Sequence, residues 1–185
     1  VVYAGYLEEK AIDESQDIGS FSGNYTYTWD SDDEYEKVEE DTDEKQPEMA
    51  VRYYFNLSYP YWKETLESFT IIIEGHSDPG EDAEVYLYNY TSGYYDYIGT
   101  LSLEDTDNTF AFSITSEVAN YVNESGVIEL GITDNTNDVG PWNKDTYYFD
   151  YLAIKPRYYP LFKDWCIANE SVCLINQSST IKQDF

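Results

Sequence analysis

The sequence predicts an all-β domain built as a two-sheet sandwich or a barrel. Three observations carry that reading. Eight or nine short runs are alternating or β-branched, and each is bounded by Gly, Pro, Asn, Asp or Ser turn residues. Aromatic residues make up 18% of the chain, with 21 Tyr, a residue that favours pleated, half-buried surfaces. One segment alone, SEVANYVNESG (116–126), has helical spacing: Ser116 caps it, Val118, Tyr121 and Val122 share a face, and Gly126 stops it.

The elements follow in order. Val1–Tyr6 alternate and read as a strand, and 13–20 (DESQDIGS) reads as a polar linker. In 21–29, Phe21, Gly23, Tyr25, Tyr27 and Trp29 alternate with polar residues, which predicts a strand with its aromatic face inward. The acidic stretch 30–48 reads as a loop with a short strand at 35–39. Residues 49–59 form an aromatic-rich strand, and Pro60 with Lys63–Glu64 marks a turn. The continuous β-branched run 67–76 suits a central sandwich strand, with His76 in the Gly/Asp/Pro-rich loop that follows. Residues 83–90 and 94–103 read as a hairpin, and 109–115, 127–134 and 146–157 as further strands, with a loop at 135–145.

Composition bounds the function. A chain of 185 residues with 42% apolar content buries a real core without a cofactor, so its low mean hydropathy reflects acids and tyrosines rather than disorder. The net charge of −27 argues against nucleic acid and anionic lipid as partners. Self-repulsion at that charge requires divalent cations, high salt or a basic partner, and a salt-adapted proteome is the plain alternative. No apolar run approaches the length of a membrane span. A start without Met is expected of a mature chain or of a chosen boundary.

Six Asn-x-Ser/Thr triplets occur, at Asn24, Asn56, Asn89, Asn123, Asn169 and Asn176. With 11 Asn and 29 Ser or Thr in the chain, random placement gives about 1.7. The excess predicts N-glycosylation and an extracellular or cell-surface location, with Asn24, Asn56, Asn89 and Asn123 on solvent faces or in loops. Cys166 and Cys173 are too few for a zinc site and are expected to form a disulfide in an oxidising compartment; two free thiols are the alternative.

The order of landmarks across 19–155 resembles the galactose-binding-like jelly rolls of secreted microbial proteins, which include many carbohydrate-binding modules. The landmarks are Gly19 to Gly23, DSDDEY (30–35), the hairpin 85–103, the helical turn 117–126, VIELGITD (127–134) and YYFDYLAI (147–154). The resemblance implies an antiparallel two-sheet β-sandwich over 19–156, flanked by an N-terminal strand and linker (1–18) and a disulfide-bearing tail (157–185). It further implies a structural Ca2+ drawn from Asp30, Asp32, Asp33, Glu34 and Asp150, oxygen donors that suit calcium, though DSDDE also reads as a solvated acidic loop. Sugar-binding members present aromatic platforms, here Trp142, Trp62 and Tyr94 or Tyr95, against the alternative of packing or plain surface.

No catalytic constellation is visible. There is no G-x-S-x-G, no phosphate loop and no metal-hydrolase motif, and the single His76 has no nucleophile motif to serve. The sequence therefore reads as a non-enzyme. Its first expectation is a self-associating surface protein, a filament or coat subunit joined by exchange of strand Val1–Tyr6. The alternative is a carbohydrate-binding or adhesion module.

Overall fold

The computed structural model describes residues 7–41, 48–134 and 144–159. Ten strands lie among the described residues: β1 (Glu9–Ile18), β2 (Ser20–Ser22), β3 (Glu36–Glu39), β4 (Met49–Asn56), β5 (Leu66–Asp78), β6 (Asp82–Asn89), β7 (Tyr94–Ser102), β8 (Asn108–Ile114), β9 (Val127–Asp134) and β10 (Thr146–Tyr158). All pairings are antiparallel. One sheet, called here sheet A, runs β2-β3-β10-β5-β8. The other, sheet B, runs β1-β4-β9-β6-β7.

Strand β1 belongs to both sheets. Glu9 and Lys10 pair with β10, and Ala11 to Ile18 pair with β4. The reading of 13–20 as a linker is thereby corrected, because Asp13 to Ile18 are sheet residues. Their side chains are polar because the outer face of sheet B meets water, and that polarity imitates a linker.

The core lies between the sheets. Sheet B contributes Val51, Tyr53, Phe55, Val85, Leu87, Ile128, Leu130 and Ile132; sheet A contributes Phe69, Ile71, Ile73, Tyr147, Phe149 and Leu152. The two inner faces interlock through aromatic rings: Tyr53 of β4 meets Phe149 of β10 edge-on, with centroids 6.1 Å apart. Edge-to-face pairs of this kind add about 0.5–1.5 kcal/mol to area burial.

Strand β10 carries a β-bulge between Phe149 and Tyr151, so Asp150 is the unpaired extra residue. The partner β5 answers with Gly75. A Cβ there would sit 2.2 Å from the Tyr148 carbonyl oxygen, so the bulged backbone closes on β5 only because Gly75 has no side chain.

Several local expectations change. Residues 21–29 are not a strand: β2 ends at Ser22, and Tyr25–Thr28 form a 3-10 turn capped by Asn24, whose Oδ1 accepts the Thr26 amide at 2.9 Å. The expected aromatic face divides: Phe21 and Tyr25 pack against the core, whereas Tyr27 and Trp29 are exposed and Thr28 is buried, its hydroxyl donating to the Tyr25 carbonyl at 2.8 Å. The side-chain oxygen of Asn24 offers the backbone a turn that outcompetes the strand. His76 lies on β5, not in a loop, paired with Tyr148. Trp62 opens a one-turn helix (Trp62–Thr65), and Tyr94 and Tyr95 open β7. The helical reading of 116–126 shrinks to a 3-10 turn, Val118–Tyr121. Val1–Tyr6, Trp142, Cys166, Cys173, Asn169 and Asn176 lie outside the described residues.

Two substitutions test this packing. Ile73, fully buried on β5, is expected to cost about 2–5 kcal/mol as Ile73→Ala. Gly75→Ala is expected to cost about 1–3 kcal/mol or more, since backbone has to move. Denaturant melts read both, and a Gly75→Ala protein as stable as its parent would contradict the close approach.

Candidate functional site

Alternation sends every second residue of sheet B outward. In β6, Ala83, Val85 and Leu87 point to the core, so Tyr86 and Tyr88 point out. In β4, inward Val51, Tyr53 and Phe55 leave Arg52 and Tyr54 outside. In β9, inward Ile128, Leu130 and Ile132 leave Glu129, Gly131 and Thr133. Register lines these up across the strands. Arg52, Gly131, Tyr86 and Tyr97 make one row, and Tyr54, Glu129, Tyr88 and Tyr95 lie across the next. A second bulge, between Val85 and Tyr86 opposite Gly99 and Tyr97, makes Ile98 the extra residue. Ile98 packs against the core, so Tyr95 and Tyr97 keep the outer face.

The result is a cleft of about 280 Å3 on the outer face of sheet B, bordered by Asp17, Arg52, Tyr86, Tyr95 and Thr133. Its volume falls just below the usual range of about 300–1,000 Å3 for small-molecule sites. Gly131 is its floor: the nearest atoms to an added Cβ are Tyr95 Cε1 at 3.3 Å and Tyr86 Cβ at 3.7 Å. Any side chain there would occupy the space beneath the rings.

Polar groups in the cleft are fixed by one another. Tyr86 donates to Glu84 Oε2 at 2.6 Å, and Tyr95 donates to Glu129. Arg52 pairs with Asp17, lies 3.8 Å from Glu129 and sits 5.9 Å from the centre of the Tyr95 ring. Burial and the Glu129 hydrogen bond push the Tyr95 hydroxyl well above its ordinary value. Tyr95 is therefore a neutral donor at physiological pH. The tyrosine rings stand at steep angles: Tyr86 meets Tyr97 at 69° and 5.6 Å, and Tyr88 meets Tyr95 at 68° and 5.1 Å. Such a surface has walls, not a flat platform.

Of the aromatics expected from sequence, Tyr95 lines the cleft. Tyr94 is 75% exposed at the start of β7 and does not border it. Trp62 is half-buried against the core, its Nε1 beside Gly126, so it packs instead of presenting a face. Sequence reasoning missed Arg52, Tyr86, Glu129 and Asp17. For Tyr86 the signal was present, because Val85-Tyr86-Leu87-Tyr88 places its aliphatic residues on the core side.

The acidic loop behaves differently from its five-residue expectation. Carboxylate oxygens of Asp33, Asp107 and Asp150 lie within 4.8 Å of one another. The bulge aims buried Asp150 at this point, where its Oδ1 accepts the Asp32 amide at 3.3 Å. Burial raises the Asp150 carboxyl above its usual range; the amides of Asp32 and Asp33 oppose that rise, and Glu74 and Asp107 reinforce it. Tyr35 donates to Asp107 at 2.7 Å, and His76 Nδ1 lies 2.8 Å from the same carboxylate. His76 stacks on Tyr148 at 4.4 Å. Asp107, distant in sequence, joins the group, whereas Asp30, Asp32 and Glu34 do not contribute carboxylates to it. Three carboxylates at this spacing would supply part of the six to eight oxygen ligands that calcium takes.

A second carboxylate group, Glu40, Glu48 and Asp134, is buried beside buried Asp145. Burial, then the hydrogen bond with Asp134, pushes Glu40 up to about 9. On β3, fully buried Glu36 lies against Glu14 and Tyr53, and burial followed by Glu14 pushes it also up to about 9.

Among the expected glycan acceptors, Asn24 and Asn56 are exposed and Asn123 is half-buried. Asn89 is a correction. It is 8% exposed, its Nδ2 donates to Asp96 at 2.8 Å, and its Oδ1 accepts the amides of Thr91 and Ser92. It ends a core-facing row of β6, and its amide holds the β6–β7 turn.

Among the described residues, no helix is long and apolar enough to cross a membrane. No curated protein matches the chain. Among solved structures, one titled "CBM4 structure and function" is similar, with a TM-score of 0.50 and 14% identity over 77% of this chain and 78% of that one. A mutant of a carbohydrate binding module of family 29 is similar at a TM-score of 0.49 and 11% identity, over 78% and 79%. The likeness to the first shows the fold: this is the β-sandwich of carbohydrate-binding modules. The sequence profile of the AF_1625_C family, described as "Uncharacterized protein, C-terminal domain", matches residues 2–157, and the chain belongs to that family.

The carboxyl of Glu36 generates a pH prediction. Its folded pKa is raised, so the stability it supplies is complete below about pH 4.5, the ordinary value, and is lost as pH rises through about 9. The melting temperature is expected to fall between about pH 5 and about pH 9, and Glu36→Gln to flatten that fall and raise the melting temperature at the alkaline end. An unchanged pH profile in Glu36→Gln would contradict it.

Proposed function

We propose that this member of the AF_1625_C family is a non-catalytic carbohydrate-binding module whose binding surface is the tyrosine-lined outer face of sheet B. The single observation that carries the reading is the cleft over Gly131, where rings of Tyr86 and Tyr95 rise beside Arg52, Asp17 and Glu129. Sugar rings present C–H faces that pack on aromatic rings, and hydroxyls that need donors and acceptors already held in place. The cleft supplies both, and its polar side chains are fixed before any ligand arrives. The fold it shares with the module titled "CBM4 structure and function" supports the same reading.

In this reading the chain works outside the cell, with glycans at Asn24, Asn56 and Asn123. Calcium is held by Asp33, Asp107 and Asp150 and ties the loop before β3 to β10 and to the turn before β8. A filament or coat built by strand exchange rests on residues 1–6, which lie outside the described residues, and β1 is paired within its own chain along both sheets.

Retention on soluble β-glucan, mannan and xylan in affinity gels tests the binding surface. Tyr86→Ala and Tyr95→Ala are each expected to weaken retention by about 2 kcal/mol, roughly thirtyfold, while leaving the melting temperature near that of the parent. Retention that survives both substitutions would overturn the assignment. For calcium, EDTA is expected to lower the melting temperature by about 5–10 °C, from about 2.7 kcal/mol at a hundredfold excess over Kd. A melting temperature unaffected by EDTA would remove the ion from the account.

A further inference from the structure

The cleft on sheet B has a polar border and a carbon-lined floor. Each polar side chain of the border is already engaged. Arg52 pairs with Asp17 and lies 3.8 Å from Glu129, and the hydroxyls of Tyr86 and Tyr95 donate to Glu84 and Glu129. Thr133 is not free either. The carboxylates are taken up within the protein, so they do not select the ligand.

The floor is different in kind. The three heavy atoms nearest to a Cβ built on Gly131 are all carbons: Tyr95 Cε1 at 3.3 Å, Tyr95 Cδ1 at 3.6 Å and Tyr86 Cβ at 3.7 Å. Beneath them the backbone is already paired. Strand β9 lies between β4 and β6, with Gly131 opposite Arg52 on one side and Tyr86 on the other. The two ladders use the amides and carbonyls of a strand in that position. A hydroxyl turned down onto this floor gives up water and meets no open partner, which is costly. A methyl group leaves water favourably and meets carbon at contact distance. The group has to be small, because the Tyr95 ring already closes over the glycine.

We infer that the substituent a bound sugar turns toward Gly131 is a methyl group, so that the cleft takes acetamido- or 6-deoxy-substituted glycans in preference to the same sugars bearing a hydroxyl there. The inference rests on the reading of this face as glycan-binding. It adds the class of sugar. The hydroxyls of the sugar stay at the border and in water, and its methyl group lies between the Tyr95 ring and Tyr86.

Titration calorimetry with two matched pairs tests it. The β-1,4-linked N-acetylglucosamine hexamer is set against cellohexaose, which has a hydroxyl in place of each acetamido group. L-Rhamnose is set against L-mannose, which has a hydroxyl in place of one hydrogen of the rhamnose methyl. In at least one pair the methyl-bearing member is expected to bind about fourfold more tightly or better, the fold-change of roughly one buried methyl-sized group. The pair that shows it names the source of the methyl. The ratio is expected to persist at about 1 M salt, where the Debye length is about 3 Å. A ratio that vanishes there belongs to charge and overturns the inference. Gly131→Ala puts the protein's own methyl on the floor and is expected to bring the ratio close to unity. A ratio that survives this substitution, in a protein that melts like its parent, overturns the inference. One readout needs no variant: nuclear Overhauser effects from the methyl protons of the bound ligand are expected at Gly131 Hα and the Tyr95 ring. Effects confined to other residues overturn the inference. Equal affinity within both pairs overturns it and leaves glycan binding intact. Failure of all four ligands to bind overturns it as well, and takes the glycan-binding reading with it where soluble β-glucan, mannan and xylan also fail.

Discussion

Strand β10 is the element on which the rest of the structure depends. It pairs with β5 on one side along almost its whole length. On the other side it pairs with β3 through Thr146–Phe149 and with β1 at Ala153 and Ile154. It thus joins both halves of sheet A and, through β1, passes the hydrogen-bonded ladder on to sheet B. Its inward residues Tyr147, Phe149 and Leu152 are fully buried, and Phe149 carries the aromatic contact to Tyr53 that closes the sandwich. Its bulge turns Asp150 toward the loop carboxylates, and Gly75 permits that bulge.

Closing the core leaves two outer faces with different chemistry. On sheet A, His76, Tyr148 and Tyr35 pack around the carboxylate of Asp107, so the aromatics there are consumed by local contacts. On sheet B, tyrosines from β6 and β7 gather around a residue with no side chain, and a cleft remains. Glycine in a strand interior weakens the sheet, and its presence at position 131 is explained by the space it leaves above the backbone. The tyrosine hydroxyls are bonded to carboxylates on the same face, which lowers the entropy a ligand would have to remove.

Much of the fold was legible in the sequence because alternation is a local signal. The hairpin 83–103, the central β-branched strand and the short strand at 36–39 all appear where their side-chain patterns put them. The pattern misled where a polar side chain competed with the ladder, as Asn24 does, and where a strand faces water along its length, as β1 does. Site residues were harder to read. Asp33 and Asp150 were visible as a loop acid and a strand acid, but Asp107 reaches them only through the pairing of β5 with β8 and β10, which no local pattern encodes. Arg52, Gly131 and Tyr86 form one row by register across β4, β9 and β6, and register is a property of the assembled sheet. Asn89 shows the converse error: a triplet read as a surface signal proves to be the hydrogen-bonding centre of a turn.

The central claim is that the outer face of sheet B, and no other surface, receives sugar. Backbone amide shifts of isotope-labelled protein, followed as a soluble oligosaccharide is added, test it most directly. The account predicts that the largest shifts fall on Arg52, Tyr86, Tyr95, Glu129 and Gly131, with those of β5 and β8 unmoved. Shifts centred on His76, Tyr148 and the Asp33 loop, with sheet B silent, would contradict it.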